Sequence, residues 1–455
     1  MNRPSLLIAL CFLFSSLSHA RQPNVILIMA DDLGYEAIGA NGGEGAKTPH
    51  LDRLAKEGVR FENCHVQPLC TPTRTALMTG MVNARNYTHF GHMDPAQVTF
   101  GNIFKQAGYT TCIAGKWQLG HDMALPAKWG FDEYCLWQLT RRPNRYKNPG
   151  LEINGKEVDY TNGEYGPDIV SDYACEFIAK NKEKAFFLYY PMMLTHSPYD
   201  PTPDSADYAT GPQGKGKQDS ERRFADMVAY TDKIIGKLDA KLTETGVRDN
   251  TLLIFLGDNG TGNGTPMKFR GGVVEGGKSH THQYGTHVPL IVSWPGQTKA
   301  GHVCGDIIDV TDFFPTICAA AGVTIPESLT IDGRSFLPQI RGEQGHPREW
   351  RYTWYNPSGG PKAKAEWAQN NRYKLYADGQ FFDTQADPKE RSPLAADALD
   401  ANARAAREKL ATAIAEFATA RPEGIAKQGQ AFGGEGDSQP KKKEKAGKKK
   451  KAPKA

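Results

Sequence analysis

A chain of 455 residues, 39% hydrophobic and 23% charged, has the make-up of an ordinary soluble globular protein, long enough for a large core and a second, smaller unit. Its formal net charge of +4 hides an acidic body: residues 441–455 hold nine Lys and one Glu, a local +8, and Arg3 adds +1, which leaves −5 on residues 21–440. The basic overall balance therefore says little about the body, and no run beyond the N-terminus is long and apolar enough for a transmembrane helix.

Residues 1–20 read as a secretory signal, with Arg3 as the positive start, an apolar run at 6–14 and a small-residue cleavage site at Ser18-His19-Ala20. The mature chain is then periplasmic or extracellular. Seven cysteines follow: Cys64, Cys70, Cys112, Cys135, Cys175, Cys304 and Cys318. Export permits disulfides, but the spacing is not that of a compact disulfide scaffold, and the lack of a CxxC pair argues against a zinc ribbon.

Residues 24–30 are a continuous apolar run of strand length, as in a parallel strand covered on both faces, and they end in Asp31-Asp32-Leu33-Gly34. Adjacent carboxylates repel unless something positive lies between them. A hard cation is the simplest answer, and a polar turn with Asp as a helix cap is the bland one. Thr48 and Pro49 open a helix that Gly58 ends. Thr71, Pro72 and Gly80 likewise predict a helix with Thr71 as its N-cap, which puts Cys70 just before a positive N-terminus with Arg74 one turn along. Such a cysteine suits anionic chemistry; the alternative is a buried packing residue.

A short helix over 100–107 leads to a strand over 109–114 that delivers Lys116, either a ligand for an oxyanion or a solvated side chain. The segment 168–180 has a helical pattern. Residues 185–194 read as a strand leading to His196, in isolation only a polar loop group. A long amphipathic helix over 221–245 carries Met227, Ile234, Ile235, Leu238 and Leu242 as a core stripe. Residues 251–256 repeat the opening design, an apolar strand followed by Gly257-Asp258-Asn259-Gly260, with two more oxygen ligands for a hard cation. A Gly-rich loop then runs to Lys278, 288–293 is a further strand, and 312–322 reads as a capped helix.

Residues 347–420 differ in texture, with strand candidates at 351–355, 367–375 and 380–382 and a helix over 396–418. The predicted organisation is a signal at 1–20, a main α/β domain at 21–346, a small α+β subdomain at 347–425 and a Lys-rich tail at 426–455. The tail cannot bury a core, and is either solvated or a contact for anionic surfaces.

Four apolar strands thus place Asp31, Lys116, His196 and Asp258 at or just past their carboxyl ends. In an open α/β sheet that edge is where ligands bind, and unrelated surface residues would not share it.

The segment Cys70-x-Pro-x-Arg74 followed by Thr79-Gly80 resembles the sulfatase family, and the resemblance extends over residues 24–394. It matches Asp31 and Asp32 to the family's first pair of metal ligands, Asp258 and Asn259 to the second, and Cys70 to the metal-facing residue converted to formylglycine. Arg74 matches the arginine that holds that residue, Lys116 the lysine of Gly-Lys-Trp, His196 the His-x-Pro histidine, and Lys278 the lysine ten positions before Val-Pro. The resemblance implies an alkaline-phosphatase-like fold, a large mixed, mostly parallel sheet sandwiched by helices. It also implies one Ca²⁺, less often Mg²⁺, and a formylglycine-generating or sulfatase-maturating enzyme as partner. The implied chemistry is in-line attack on sulfur by the formylglycine hydrate, charge offset by the cation, Lys116 and Lys278, and a proton from His196 to the leaving alcohol.

Two places depart from the family. Gln118 stands where a His usually faces formylglycine, and an amide is no base, which leaves His121, another His, or the carboxylates and metal to take the proton. The loop from Gln283 to Pro289 is also altered, with His280, His282 and His287 as further substrate contacts or, on another reading, a zinc site. The expectation is an exported sulfatase acting on sulfated carbohydrate. A phosphate or phosphonate monoester hydrolase of the same fold remains open, as does a non-catalytic binder of sulfated glycan, suggested by Gln118 and the basic tail.

Overall fold

Strand β1 (Asn24–Ala30) is buried along its whole length because both of its faces are covered. Val25, Leu27 and Met29 pack into one apolar cluster, and Ile26, Ile28 and Ala30 into another. Alternate side chains of a strand point to opposite faces, so an unbroken apolar run demands a layer on each side. Each large side chain so buried contributes about 1.5–3 kcal/mol. The protein is described here by a computed structural model covering residues 21–210 and 219–425. The expected signal at 1–20 and tail at 426–455 lie outside the described residues.

The main sheet has ten strands. In chain order these are β1, β2 (Val59–His65), β3 (Thr110–Lys116), β4 (Glu133–Trp137), β5 (Gly150–Ile153), β6 (Lys156–Asp159), β7 (Phe186–Pro191) and β8 (Thr251–Gly257). After a separate hairpin of β9 (Pro266–Phe269) and β10 (Gly272–Glu275), the sheet is completed by β11 (His287–Ser293) and β12 (His302–Asp309). The spatial order is β12-β2-β11-β8-β1-β7-β3-β4-β5-β6. Strands β8, β1, β7, β3 and β4 form a central parallel block, with antiparallel β11 and β5 on its flanks. Helices Cys70–Thr79, Phe100–Gln106 and Phe313–Ala321 cover one face, and Pro49–Glu57, Gly166–Lys180 and Ser220–Glu244 the other. This is the expected mostly parallel mixed sheet between helical layers.

A second, four-stranded antiparallel sheet consists of β13 (Arg351–Tyr355), β14 (Ala365–Gln369), β15 (Tyr373–Tyr376) and β16 (Phe381–Asp383). Helix Ala401–Ala415 covers it, burying Leu410 and Ala413 against Ala368, Leu375 and Phe381. Arg351, Lys374 and Tyr376 are among the residues that tie this sheet to the main body. Arg351 is fully buried, with Nε donating to Asp309 at 2.8 Å. Lys374 donates to the carbonyl of Thr281 and, at 2.9 Å, to Glu390, while the Tyr376 hydroxyl donates to Thr281 Oγ1 at 2.7 Å.

Several elements differ from the sequence expectation. Cys70 is the first residue of its helix and Leu69 the N-cap, because the Thr71 hydroxyl accepts from Gly91 N instead of capping. Gly80 does close that helix, in the left-handed conformation at φ +68°. Thr48 does not cap Pro49–Glu57 with its side chain; Asp232, from the long helix, accepts from His50 N and Leu51 N at 3.1 and 2.7 Å. The strand expected over 367–375 is a hairpin turned at Asn370, whose side chain accepts from Arg372 N and Tyr373 N. The last helix starts at Ala401, where the Asp400 carboxylate accepts from Ala403 N. All seven cysteines beyond residue 20 are buried and unbridged.

Candidate active site

The five parallel strands of the central block direct their carboxyl ends to one place. Register puts Ala30 beside Gly257, so Asp31 and Asp32 follow β1 next to Asp258 and Asn259 after β8. Lys116 ends β3, His196 follows β7, and Arg145 lies in the loop after β4. Helix Cys70–Thr79 sets Cys70 and Arg74 over the same edge. Asp31, Cys70, Arg74, Lys116, Asp258 and Asn259 have no exposed surface, Asp32 has 1% and His196 6%.

The contacts form one connected net. Lys116 Nζ donates to Asp31 Oδ1 at 2.9 Å, and Arg145 Nη1 to Asp31 Oδ2 at 2.9 Å. Arg74 bridges Asp258 Oδ2 and the Lys116 carbonyl, both at 3.0 Å. Lys278 Nζ donates to Asp32 Oδ2 at 2.8 Å, and Asn259 Nδ2 to Asp32 Oδ1 at 2.8 Å. His196 Nε2 lies 3.7 Å from Asp32 Oδ2, and its Nδ1 bonds the Ser197 carbonyl. A carbonyl only accepts, so Nδ1 carries a proton and Nε2 is the atom that faces the site.

Burial and mutual charge set the protonation states. Burial raises the Asp31 carboxyl, but Lys116, His196, Arg145 and Arg74 together overcome it and hold the group well below the carboxylate range. Asp258 is pushed up to about 7, first by burial and then by the Asp31 charge, against Arg74 and Lys116. Burial, followed by Arg145 and Lys278, lowers His196 well below its ordinary value, so its imidazole is neutral at pH 7. The Cys70 thiol is raised by burial despite Lys116 and Lys278, and it donates to Gln118 Oε1 at 2.8 Å. A protonated, hydrogen-bonded thiol is a poor nucleophile, so the site is not built for thiolate attack.

The acidic residues suit a hard cation. Asp31, Cys70 and Asp258 offer ligand atoms all within 4.8 Å of one another, as do Asp31, Asp32 and His196. Asn259 Oδ1 is buried without a hydrogen-bond partner while its Nδ2 is used twice. Three buried carboxylates and an orphaned amide oxygen form an all-oxygen donor set, which fits Ca²⁺ or Mg²⁺.

All nine residues singled out from the sequence therefore meet at one sheet edge. Arg145 was missed; it is buried, stacked 4.1 Å over Trp137, and its only sequence signal is a cationic loop after a fifth strand. Gln118 occupies the place opposite Cys70 with a left-handed backbone, φ +58°. His121 is exposed on a turn near His92. The other three histidines do not form one cluster: His280 stacks on His282, whereas His287 bonds the Glu62 carbonyl and stacks on Tyr35.

Residues 23–323 match the family model described as Sulfatase, and residues 277–417 match N-sulphoglucosamine sulphohydrolase, C-terminal. The chain is 33% identical over 352 residues to N-acetylgalactosamine-6-sulfatase of Homo sapiens, which covers 70% of this chain and 66% of that protein, just under two thirds of its length. It is 30% identical over 438 residues to arylsulfatase A of Homo sapiens, covering 84% of this chain and 80% of the relative. Among solved structures it is similar to Ps i-CgsB in complex with k-i-k-neocarrahexaose, with a TM-score of 0.72, 27% identity, and 88% and 94% of the two chains covered.

Proposed function

The chain belongs to the sulfatase family, and from that premise we propose that it hydrolyses sulfate monoesters of carbohydrates with residue 70 in the formylglycine form and a Ca²⁺ held by Asp31, Asp32, Asp258 and Asn259. The observation that carries this reading is the placement of Cys70. It starts a helix, buried, beside two carboxylates and between Lys116 and Lys278, where a sulfate ester and an oxygen nucleophile can meet. Carbohydrate as the substrate class is supported by the names of the relatives, one a sulfatase of N-acetylgalactosamine and one bound to a neocarrahexaose. Residues 1–20 support export, and a maturating enzyme is the partner that formylglycine requires.

When present, formylglycine supplies a hydrated aldehyde as nucleophile, and the cation offsets sulfate charge. The chain's own residues do the rest. Lys116 and Lys278 donate toward the anionic end of the substrate, and in a water-poor site such donors stabilise charge that grows in the transition state. Arg74 fixes the Asp258 carboxylate, and Arg145 fixes Asp31. Gln118 orients residue 70 by accepting its hydrogen bond. His196 presents Nε2 to the departing oxygen; neutral and protonated at Nδ1 in the resting site, it takes a proton from solvent at Nε2 and passes it to the alcohol.

The test compares sulfate release from a panel of sulfated sugars by the wild-type protein and by Cys70→Ala, with the mass of the peptide spanning residue 70. The reading expects turnover that needs an aldehyde at position 70. A thiol at that position in the active native protein overturns the mechanism, and faster release of phosphate than of sulfate overturns the substrate.

A further inference from the structure

A cavity of about 690 Å³ opens at the end of the small sheet, where the turn after β13 and the turn after β15 lie side by side, and His280, Thr281 and His282 complete its wall. A volume in the range of ligand sites is far more than a sulfate group needs. His282 follows Lys278 by four residues, which limits their separation to about 14 Å. Tyr355 ends β13 at the same end of the sheet. Its carbonyl accepts from Lys364 N at 2.9 Å, and its phenol is buried. One wall of the cavity, His280 to His282, thus belongs to the loop that carries Lys278.

The charges of this cavity are unequally committed. Glu366 accepts from the Tyr352 hydroxyl, Glu390 from Lys374 and Tyr376, and Asp378 from the backbone and side-chain amides of Gln380. Arg421 donates to the carbonyls of Gly360, Ala84 and Tyr87. Lys362 and Lys364 are exposed in the cavity and form no ion pair among the described residues. Each acid accepts hydrogen bonds from within the protein and Lys389 lies 3.8 Å from Glu275, while Lys362 and Lys364 have no ion-pair partner among the described residues.

We propose that this cavity is the subsite for the non-reacting part of the substrate, an oligosaccharide whose second anionic group, a carboxylate or a further sulfate, is held by Lys362 and Lys364. The proposal rests on the sulfate-ester reading above. Binding energy gathered there holds the reacting sugar against Lys116 and Lys278, so a longer substrate outperforms a single sugar.

The probes are N-acetylgalactosamine 6-sulfate and three tetrasaccharides ending in that sugar: one otherwise neutral, one with a uronic acid and one with a second sulfate. Calorimetric binding to the full chain carrying Cys70→Ala is expected to favour the charged tetrasaccharides over the neutral one by about tenfold. Adding K362A and K364A removes that preference. K156A, on the far edge strand β6, preserves it. The tighter of the two charged probes identifies the anion. Equal binding of neutral and charged probes, equal binding with and without the two lysines, or binding of none overturns the proposal. Sulfate release by the Cys70 protein is read separately. Release without any lysine effect removes the cavity and leaves the sulfatase reading, whereas lysine-dependent binding without release removes the sulfatase reading and leaves the cavity.

Discussion

The Cys70 thiol donates a 2.8 Å hydrogen bond to the amide oxygen of Gln118, so the side chain facing the reactive position is a group that cannot titrate. Gln118 is 5% exposed and sits at φ +58°, a backbone conformation that only the surrounding packing can hold. Gln118→Ala is expected to lower kcat about tenfold with KM little changed, because residue 70 loses its orientation. Gln118→His is expected to add a limb between pH 5 and 8 to the kcat profile that the wild-type protein lacks. Steady-state kinetics across pH tests both.

Arg145 is the one cation that pairs with Asp31 Oδ2 among the described residues. It is buried, stacked on Trp137, and leaves one carboxylate oxygen unpaired if removed. Arg145→Met is expected to destabilise the protein by about 3 kcal/mol in urea unfolding without metal. Added Ca²⁺ should recover part of that loss, since a cation beside Asp31 replaces the missing charge. A variant as stable as wild type in metal-free buffer would show that the contact carries no net weight.

Chelation should lower both activity and the thermal midpoint, with Ca²⁺ restoring them. Asn259→Ala removes the orphaned amide oxygen and is expected to weaken Ca²⁺ binding about tenfold, which lowers metal-dependent stabilisation by about 1.4 kcal/mol at a fixed excess of metal. Thermal unfolding across a Ca²⁺ titration measures this, and an unchanged titration curve would exclude Asn259 as a ligand.

The histidines away from the catalytic centre predict acid sensitivity. Burial pushes His287 down to about 4, and burial followed by the neighbouring His287 lowers His65 well below its usual range. The unfolded chain takes up these protons near pH 6.5, whereas folded His287 resists its proton until about pH 4 and folded His65 also stays neutral well below its usual range. Their contribution to stability is therefore complete above pH 6.5 and lost as pH falls toward 4. Urea midpoints at pH 7.5 and 5 are expected to differ, and His287→Gln should reduce the difference. A slope identical to wild type would assign the acid loss to other groups.

The sequence was most legible where local pattern and chemistry coincide. Unbroken apolar runs identify β1 and β8 as strands buried on both faces, and carboxylates at their ends are conspicuous because nothing apolar follows at once. Arg145 shares its loop with Arg141, Arg142 and Lys147, and only the tertiary position of β4 distinguishes the buried cation from its neighbours. Strand β2 alternates polar and apolar residues near the sheet edge, so its sequence does not read as core. The Asn370-Asn371 pair was a turn signal inside an apparent strand; the Asn370 side chain bonding two backbone amides is the physical reason it breaks the run. The cap of Pro49–Glu57 was out of reach, because Asp232 comes from a distant helix.

The grip of Lys374 and Tyr376 on Thr281 bears on the order in which the site matures. Lys374 lies 93 residues beyond Thr281, and Thr281 is three residues from the lysine that bonds Asp32. During synthesis the carboxylates, Cys70 and Lys116 emerge long before the strand that anchors this loop. A nascent chain therefore presents Cys70 while the Lys278 side of the pocket is still unfastened, because the contacts that hold the Lys278 loop come from the last sheet.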